Sequence, residues 1–127
     1  MRTETILIEG EPVAKGRPRV RKYKGKSWAY TPEKTRNYER AIVKAWNNQE
    51  QFTGALKVKI EAYMQAPQKP KTDRPTKAPD ADNIAKTILD GLNKVAWEDD
   101  KQIVDLHVEK FWSSSPYVKV TISEVVE

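Results

Sequence analysis

The chain contains no cysteine and a single histidine, His107. Without cysteine it can have no disulfide bond, thiolate nucleophile or Cys-ligated zinc, and one histidine excludes any site that needs two imidazoles. No segment approaches the roughly 18 uninterrupted apolar residues that cross a bilayer, and residues 1–10 lack the apolar block of a signal peptide. We therefore expect a cytoplasmic protein without membrane contact, whose chemistry comes from carboxylates, amines and hydroxyls.

Size and charge suggest one domain with an anionic partner. The 127 residues suit a single domain over 1–127, and 4 Trp and 5 Tyr can build a core although the mean hydropathy is −0.79. The net charge is +5, but residues 1–50 hold 12 basic and 6 acidic residues whereas 98–127 hold 3 and 7. The first part of the chain should attract a polyanion such as nucleic acid.

Two helices are predicted. Thr31 as N-cap, Pro32 at the first helical position and apolar residues at helical spacing indicate a helix over about 32–48. A second run of apolar residues at helical spacing begins after Asp82, which is well placed as the N-cap, and indicates a helix over about 83–94.

Four strands are predicted from β-branched content and period-two alternation, at 3–9, 56–64, 102–112 and 117–126, the last two as a hairpin. Residues 66–79, with four prolines and four basic residues, should form an exposed connection. The order of elements predicts an α+β fold with a single mixed β-sheet and the helices packed on one face.

The most informative segment is 78–103, which holds five aspartates and one glutamate. Asp80 and Asp82 lie at a helix start, and Lys86 follows one turn later on the side away from the apolar stripe. Asp99 and Asp100 lie between this helix and the next strand, so folding could bring one of them close. Such hard oxygen ligands suit Mg²⁺ or Mn²⁺.

These acids can be interpreted either as metal ligands or as structural residues. A divalent cation would relieve the repulsion between the carboxylates and make phosphodiester hydrolysis feasible without His or Cys, with Lys86 at the phosphate. Alternatively, Asp82 only caps a helix, Asp99 and Asp100 form a polar turn, and Lys86 with Asp90 is a solvated ion pair.

A basic segment at 15–26 packs seven Lys or Arg into twelve residues and predicts a mobile loop. Its arginines could pair with phosphates, and Tyr23, Trp28 and Tyr30 could stack on bases, although the last two could equally pack in the core. A solvated loop is an equally good interpretation. The remaining tryptophans, Trp46, Trp97 and Trp112, suit core or interface positions, and His107 suits a structural or surface position.

Three segments carry a family resemblance: EPVAKGRPR, PDADNIAKTILDGLN and WEDDKQI. They resemble the RusA family of Holliday-junction resolvases of bacteria and prophages, over about four fifths of the chain. The resemblance implies a Mg²⁺-dependent homodimeric endodeoxyribonuclease that nicks opposed strands of a four-way junction in recombination and repair.

Carried over by residue, the resemblance implies that Asp80, Asp82 and Asp100 are essential acids and metal ligands and Lys86 the essential amine. Asp99 is the alternative ligand within its pair, and Asp90 is interpreted as a partner of Lys86. The DNA-contacting residues would be Lys15, Arg17, Arg19, Arg21 and Lys22. No organic cofactor is expected.

Two other functions compete with this interpretation. In a non-catalytic nucleic-acid-binding module, the acids cap a helix and the basic segment does the binding, so Mg²⁺ has no effect. A metal-dependent nuclease for flaps or other branched substrates would share the site but not the substrate.

Overall fold

The computed structural model describes residues 1–14, 19–30 and 32–126, with the backbone alone at 19–21 and 28–30. Its elements in chain order are β1 (Thr3–Glu9), β2 (Arg19–Tyr23), β3 (Lys26–Tyr30), α1 (Glu33–Trp46), β4 (Leu56–Gln65), α2 (Ala81–Leu92), a 3₁₀ turn (Asp100–Gln102), β5 (Ile103–Ser113) and β6 (Tyr117–Glu124).

A four-stranded mixed sheet in the order β1-β6-β4-β5 confirms the predicted α+β fold. The predicted hairpin of the last two strands is wrong, because β4 lies between them, parallel to β5 and antiparallel to β6. The connection at 114–116 must cross two strand spacings of about 4.8 Å each, which a few extended residues span. The central position gives β4 a partner on both edges.

Both helices pack on one face of this sheet around a common core. Inward residues of β4, such as Val58 and Ile60, are fully buried, and α1 and α2 add Ile42 and Ile88. The helices approach closely at Gly91, where a Cβ would lie 2.9 Å from Ile42 Cδ1. Of the three tryptophans predicted at core or interface positions, Trp46 and Trp97 are in the core, at 1% and 0% exposed, whereas Trp112 is only half-buried on β5.

The helix starts differ from the predicted ones by one or two residues, with α1 beginning later and α2 beginning earlier. Asp80 rather than Asp82 is the N-cap of α2, and Asp82 lies in the first turn. The two aspartates are both good capping types, so sequence spacing alone does not choose between them. For α1, Pro32 occupies the cap position and Glu33 is the first helical residue, while Thr31 lies outside the described residues.

The basic segment is not a loop where it is described. Residues of β2 and β3 pair as an antiparallel hairpin, from Arg19↔Tyr30 to Tyr23↔Lys26, and form a separate two-stranded sheet. The apolar alternation that identifies a half-buried strand is missing here, but backbone pairing across a tight turn does not need it. Lys15 and Arg17 lie outside the described residues.

The proline-rich connection 66–79 is mostly exposed, as predicted, and it follows the surface of β5. Trp112 Nε1 donates a hydrogen bond to the Thr72 carbonyl at 3.0 Å, and Lys110 Nζ donates to the Lys77 carbonyl at 2.7 Å. These contacts fix the chain just before α2 begins. Among the described residues, no helix is both long and apolar enough to span a membrane.

Candidate active site

A cavity of about 460 Å³ lies between α2 and β5. Its polar lining comes from Asp82, Lys86 and Asp90 on α2 and from Asp100 at the 3₁₀ turn. Its apolar lining consists of Ala81, Ala85, Leu89, Leu106 and Val108. Three carboxylates and one amine, separated by up to 18 positions in sequence, therefore border one open space.

Helix α2 presents its charges to this cavity because its apolar stripe faces the core. Ile84 and Ile88 are 1% and 0% exposed, which turns the residues at positions 82, 86 and 90 outward, one turn apart. Lys86 Nζ lies 3.8 Å from Asp90 Oδ2. At 62% exposure the lysine side chain remains accessible, so this ion pair does not remove its amine from the solvent.

Asp100 is held toward the cavity by two neighbours. Its Oδ1 accepts a hydrogen bond of 2.7 Å from Nε1 of the fully buried Trp97. Its backbone N–H donates to Asn93 Oδ1 at 3.1 Å. Because the donor is anchored in the core, the orientation of this carboxylate is fixed before any ligand binds.

Asp99 faces a different part of the surface. Its Oδ1 accepts a 2.9 Å hydrogen bond from the Lys101 backbone N–H, and together with Gln102 it forms the capping box of the 3₁₀ turn. It lines a separate cavity of about 310 Å³ on the side of Phe52. Of the two neighbouring aspartates, only Asp100 borders the cavity next to α2.

Asp80 is exposed at the N-cap of α2 and is not among the residues that line the cavity. The structure therefore brings Asp82 and Asp100 to one cavity, with Asp80 beside it and Asp99 apart.

A divalent cation site depends on how closely its oxygen donors are held together. The described residues contain no group of three or more His, Asp or Glu side chains close enough together to hold a metal ion. Mg²⁺, however, usually takes only one or two carboxylates and completes its shell with water and substrate phosphate. Asp82 and Asp100 fit that mode of binding, and they do not form an all-protein cage.

The DNA-contacting residues expected from the sequence are described only in part. Lys22 is exposed on β2, and Arg19 and Arg21 lie on the same strand, with only their backbone described. The hairpin gives these three residues a regular framework in place of the predicted loop.

Comparison with known proteins decides the family. The family model described as "Endodeoxyribonuclease RusA" matches residues 9–123. The chain belongs to the RusA endodeoxyribonuclease family. It is also 37% identical to the uncharacterized protein YqaN of Bacillus subtilis (strain 168) over 135 residues, covering 94% of this chain and 95% of that protein. Membership of the RusA family indicates endodeoxyribonuclease activity and supports a junction-resolving enzyme.

Sequence reasoning missed the two residues of this RusA family member that orient Asp100. Trp97 was interpreted as a core or interface residue without a chemical role, and Asn93 was not singled out, although both contact Asp100. The signal was present in the run Trp97-Glu98-Asp99-Asp100, because an indole three residues before a carboxylate can reach it across a tight turn. Asp90 was interpreted as a partner of Lys86, and it also lines the cavity.

Proposed function

We propose that this chain, as one RusA-like domain, is a Mg²⁺-dependent, structure-selective endodeoxyribonuclease that resolves four-way DNA junctions in recombination and repair. The observation that carries the proposal is the cavity shared by Asp82, Lys86, Asp90 and Asp100 in a chain of the RusA family. Carboxylates alone would repel a phosphate, so the cavity suits phosphodiester chemistry only with an amine and a cation present.

The proposed roles follow from position and charge. Asp82 and Asp100 would hold the cation together with the DNA phosphate, and Asp80, exposed at the N-cap beside the cavity, would add a third negative charge near it. When bound, Mg²⁺ polarises the phosphoryl oxygens and lowers the pKa of water. The exposed Lys86 ammonium contacts the scissile phosphate and neutralises the charge that develops there.

The chemical step is hydrolysis. The oxygen of a water molecule forms a bond to phosphorus, the bond from phosphorus to one sugar oxygen breaks, and that oxygen takes up the proton that the water loses.

We further propose that the active form is a homodimer. A four-way junction has approximate two-fold symmetry, and a two-fold dimer places one site on each of two like strands, so that both nicks are made in one encounter. A monomer would leave single nicks.

The test is cleavage of a synthetic four-way junction with and without Mg²⁺, beside a nicked duplex, an intact duplex and a flap. We expect paired nicks in the junction, dependent on Mg²⁺ or Mn²⁺. Binding without any product would favour a non-catalytic binding module, and equal cleavage of the flap would contradict junction selectivity.

Asp82→Asn is the sharpest variant for this test. It removes one proposed ligand charge from an exposed position, so the fold should be unaffected. We expect cleavage to fall by at least about 10³-fold while junction binding stays the same or tightens, because a negative charge near the phosphates is lost. Wild-type cleavage by this variant would contradict the assignment.

A further inference from the structure

The β2–β3 hairpin ends in a tight turn whose geometry is unusual for its sequence. Tyr23 pairs with Lys26, which leaves Lys24 and Gly25 as the two turn residues. Their φ angles are 48° and 76°, so both are in the left-handed region, as in a type I′ turn. Glycine accepts this conformation freely, but the first position favours Asn, Asp or Gly over a lysine.

The side chains at this tip combine positive charge with one exposed ring. Tyr23 is 64% exposed, and Lys22, Lys24 and Lys26 are exposed around it. The Lys24 ammonium lies 5.4 Å from the centroid of the Tyr23 ring. Residues 22–27 line a concave surface of about 480 Å³ that belongs to the hairpin alone.

Within the described part of the hairpin, the Lys24 ammonium and the Tyr23 ring attract each other, but such a contact is weak at an exposed site. The hairpin forms its own two-stranded sheet, separate from the four-stranded one, and a two-stranded hairpin is at best marginally stable in water. An aromatic ring in solvent and a lysine in a left-handed conformation both cost free energy. A ligand that uses the ring and the lysines together would offset these costs.

We propose that the hairpin tip recognises the branch point of the DNA, with Tyr23 stacking on a base that has lost a stacking neighbour there. The inference rests on the proposed function, since it takes branched DNA as the substrate. Inside a continuous duplex both faces of each base are covered, so the ring has nothing to stack on. At a branch point the continuous stack is interrupted and a base face becomes available.

The lysines have a different task from the ring. Lys22, Lys24 and Lys26 contact phosphates, which are present in every DNA, and therefore add affinity without selectivity. Tyr23 adds affinity only where a base face is open. Within the tip, the lysines thus provide affinity for any DNA, and the Tyr23 ring provides selectivity for a branch point.

The experiment compares Tyr23→Ala and Tyr23→Phe with the wild type in binding to a four-way junction and to a linear duplex of equal length, without Mg²⁺. Removal of an aromatic ring that stacks on a base typically weakens binding roughly 5- to 150-fold. We expect Tyr23→Ala to weaken junction binding at least about fivefold and duplex binding less than twofold. Tyr23→Phe keeps the ring and should bind both as the wild type does.

A second readout follows the base itself. With 2-aminopurine at the branch point, binding of the wild type and of Tyr23→Phe should change the fluorescence of the probe, and binding of Tyr23→Ala should not. Lys26→Ala is the matched control, since it should weaken both DNAs to a similar degree and retain the fluorescence change.

Two outcomes would overturn the proposal: junction binding by Tyr23→Ala at wild-type strength, or an equal loss on junction and duplex. Neither outcome bears on catalysis, which the wild type reports separately by cutting or not cutting the junction in Mg²⁺. A wild type that discriminates through Tyr23 but does not cut would contradict the proposed function and leave the branch-point inference intact.

Discussion

Asp99 and Asp100 are adjacent carboxylates whose surroundings separate them. Asp99 caps the 3₁₀ turn through the Lys101 N–H, while Asp100 accepts from the buried Trp97 indole and borders the cavity. The sequence could not choose between them, because the choice depends on where one turn of 3₁₀ helix points each side chain. That turn is fixed by the packing of Trp97, a contact between residues three apart.

Isosteric amides at these two positions test the difference. Asp100→Asn retains an oxygen that accepts from Trp97, and Asp99→Asn retains a good capping group, so both variants should fold. We expect Asp100→Asn to lose junction cleavage by at least about 10³-fold and Asp99→Asn to cut within a few-fold of the wild type. Single-turnover cleavage in Mg²⁺ measures both. The reverse pattern would assign Asp99 to the site.

Tyr38 carries a buried hydroxyl that makes no hydrogen bond to any described residue. Burial raises the pKa of Tyr38 well above its ordinary value of 10.0. A buried polar group without a partner costs about 1–3 kcal/mol. The folded state therefore favours the neutral phenol, and stability at this site is lost as the pH rises above 10.0, where the unfolded chain ionises.

Tyr38→Phe removes that hydroxyl and keeps the ring. We expect the free energy of unfolding to stay the same or to rise by up to about 2 kcal/mol near neutral pH, as urea denaturation would measure. The variant should also lose less stability than the wild type above pH 10.0. As a control, Tyr38→Ala should lose about 3 kcal/mol or more from the cavity it leaves. A loss above about 1 kcal/mol in Tyr38→Phe would mean that the hydroxyl has a partner.

At the scale of elements, apolar periodicity correctly predicted the elements that bury one side against the core. The stripe of α2 and the alternation in β4 were correct, because both elements bury one side against the same core. The predicted β5–β6 hairpin was wrong because these strands, although consecutive in sequence, pair with opposite edges of β4 and not with each other. The β2–β3 hairpin was missed because residues 19–30 lack the sustained period-two apolar alternation by which a strand is identified in a sequence.

The connection 66–79 is attached to β5 through side chains rather than by a secondary structure of its own. Arg74 donates to Glu109 Oε2 at 3.0 Å, and its guanidinium lies 4.4 Å from the Phe111 ring centroid. The hydrogen bond and charge of Arg74 lower the pKa of Glu109. With the Trp112 to Thr72 hydrogen bond, these contacts set where the chain enters α2 at Asp80.

Trp112→Phe tests this attachment by removing the indole N–H and keeping an aromatic ring. Loss of one hydrogen bond of about 1 kcal/mol should raise the population of the detached connection about fivefold. Trypsin reports it at Lys71 and Lys77, since Lys69 and Arg74 precede prolines and resist cleavage. We expect cleavage there to be about fivefold faster than in the wild type.

The matched control is Thr3→Ala, which removes the 3.3 Å hydrogen bond to Ser123 at the far side of the sheet. Its cleavage rate in 66–79 should equal that of the wild type. An unchanged rate in Trp112→Phe would show that the connection is held by its other contacts.

At the scale of the whole molecule, the sequence predicted the composition of the site better than its geometry. Helical spacing was enough to place Asp82, Lys86 and Asp90 on one side of α2, and the structure adds Asp100 from the 3₁₀ turn. The full set of ligating acids could not be derived, because Asp80 at the cap lies beside the cavity and no three-carboxylate cluster forms among the described residues. The phosphate of the substrate, which helps to complete the shell of the cation, also leaves no pattern in the protein sequence.

The charge of the molecule is distributed so that the proposed DNA binding and the proposed chemistry would use different regions. Seven Lys or Arg lie in residues 15–26, and five aspartates lie in residues 78–103. We expect the first region to attract DNA at long range and the second to repel it without a cation. Salt should therefore control binding, and Mg²⁺ should control cleavage.

Lys22→Ala tests the first half of that statement, because Lys22 is an exposed lysine of the hairpin and one proposed phosphate contact. Each neutralised phosphate contributes about 0.9 to the slope of log K against log salt, so the slope should flatten by about one unit on junction and duplex alike. Arg19→Ala should behave in the same way. Lys34→Ala, an exposed lysine on α1 outside the hairpin, is the control and should leave the slope unchanged. If Lys22→Ala and Lys34→Ala gave the same slope as the wild type, the hairpin would not be the surface that holds the DNA backbone.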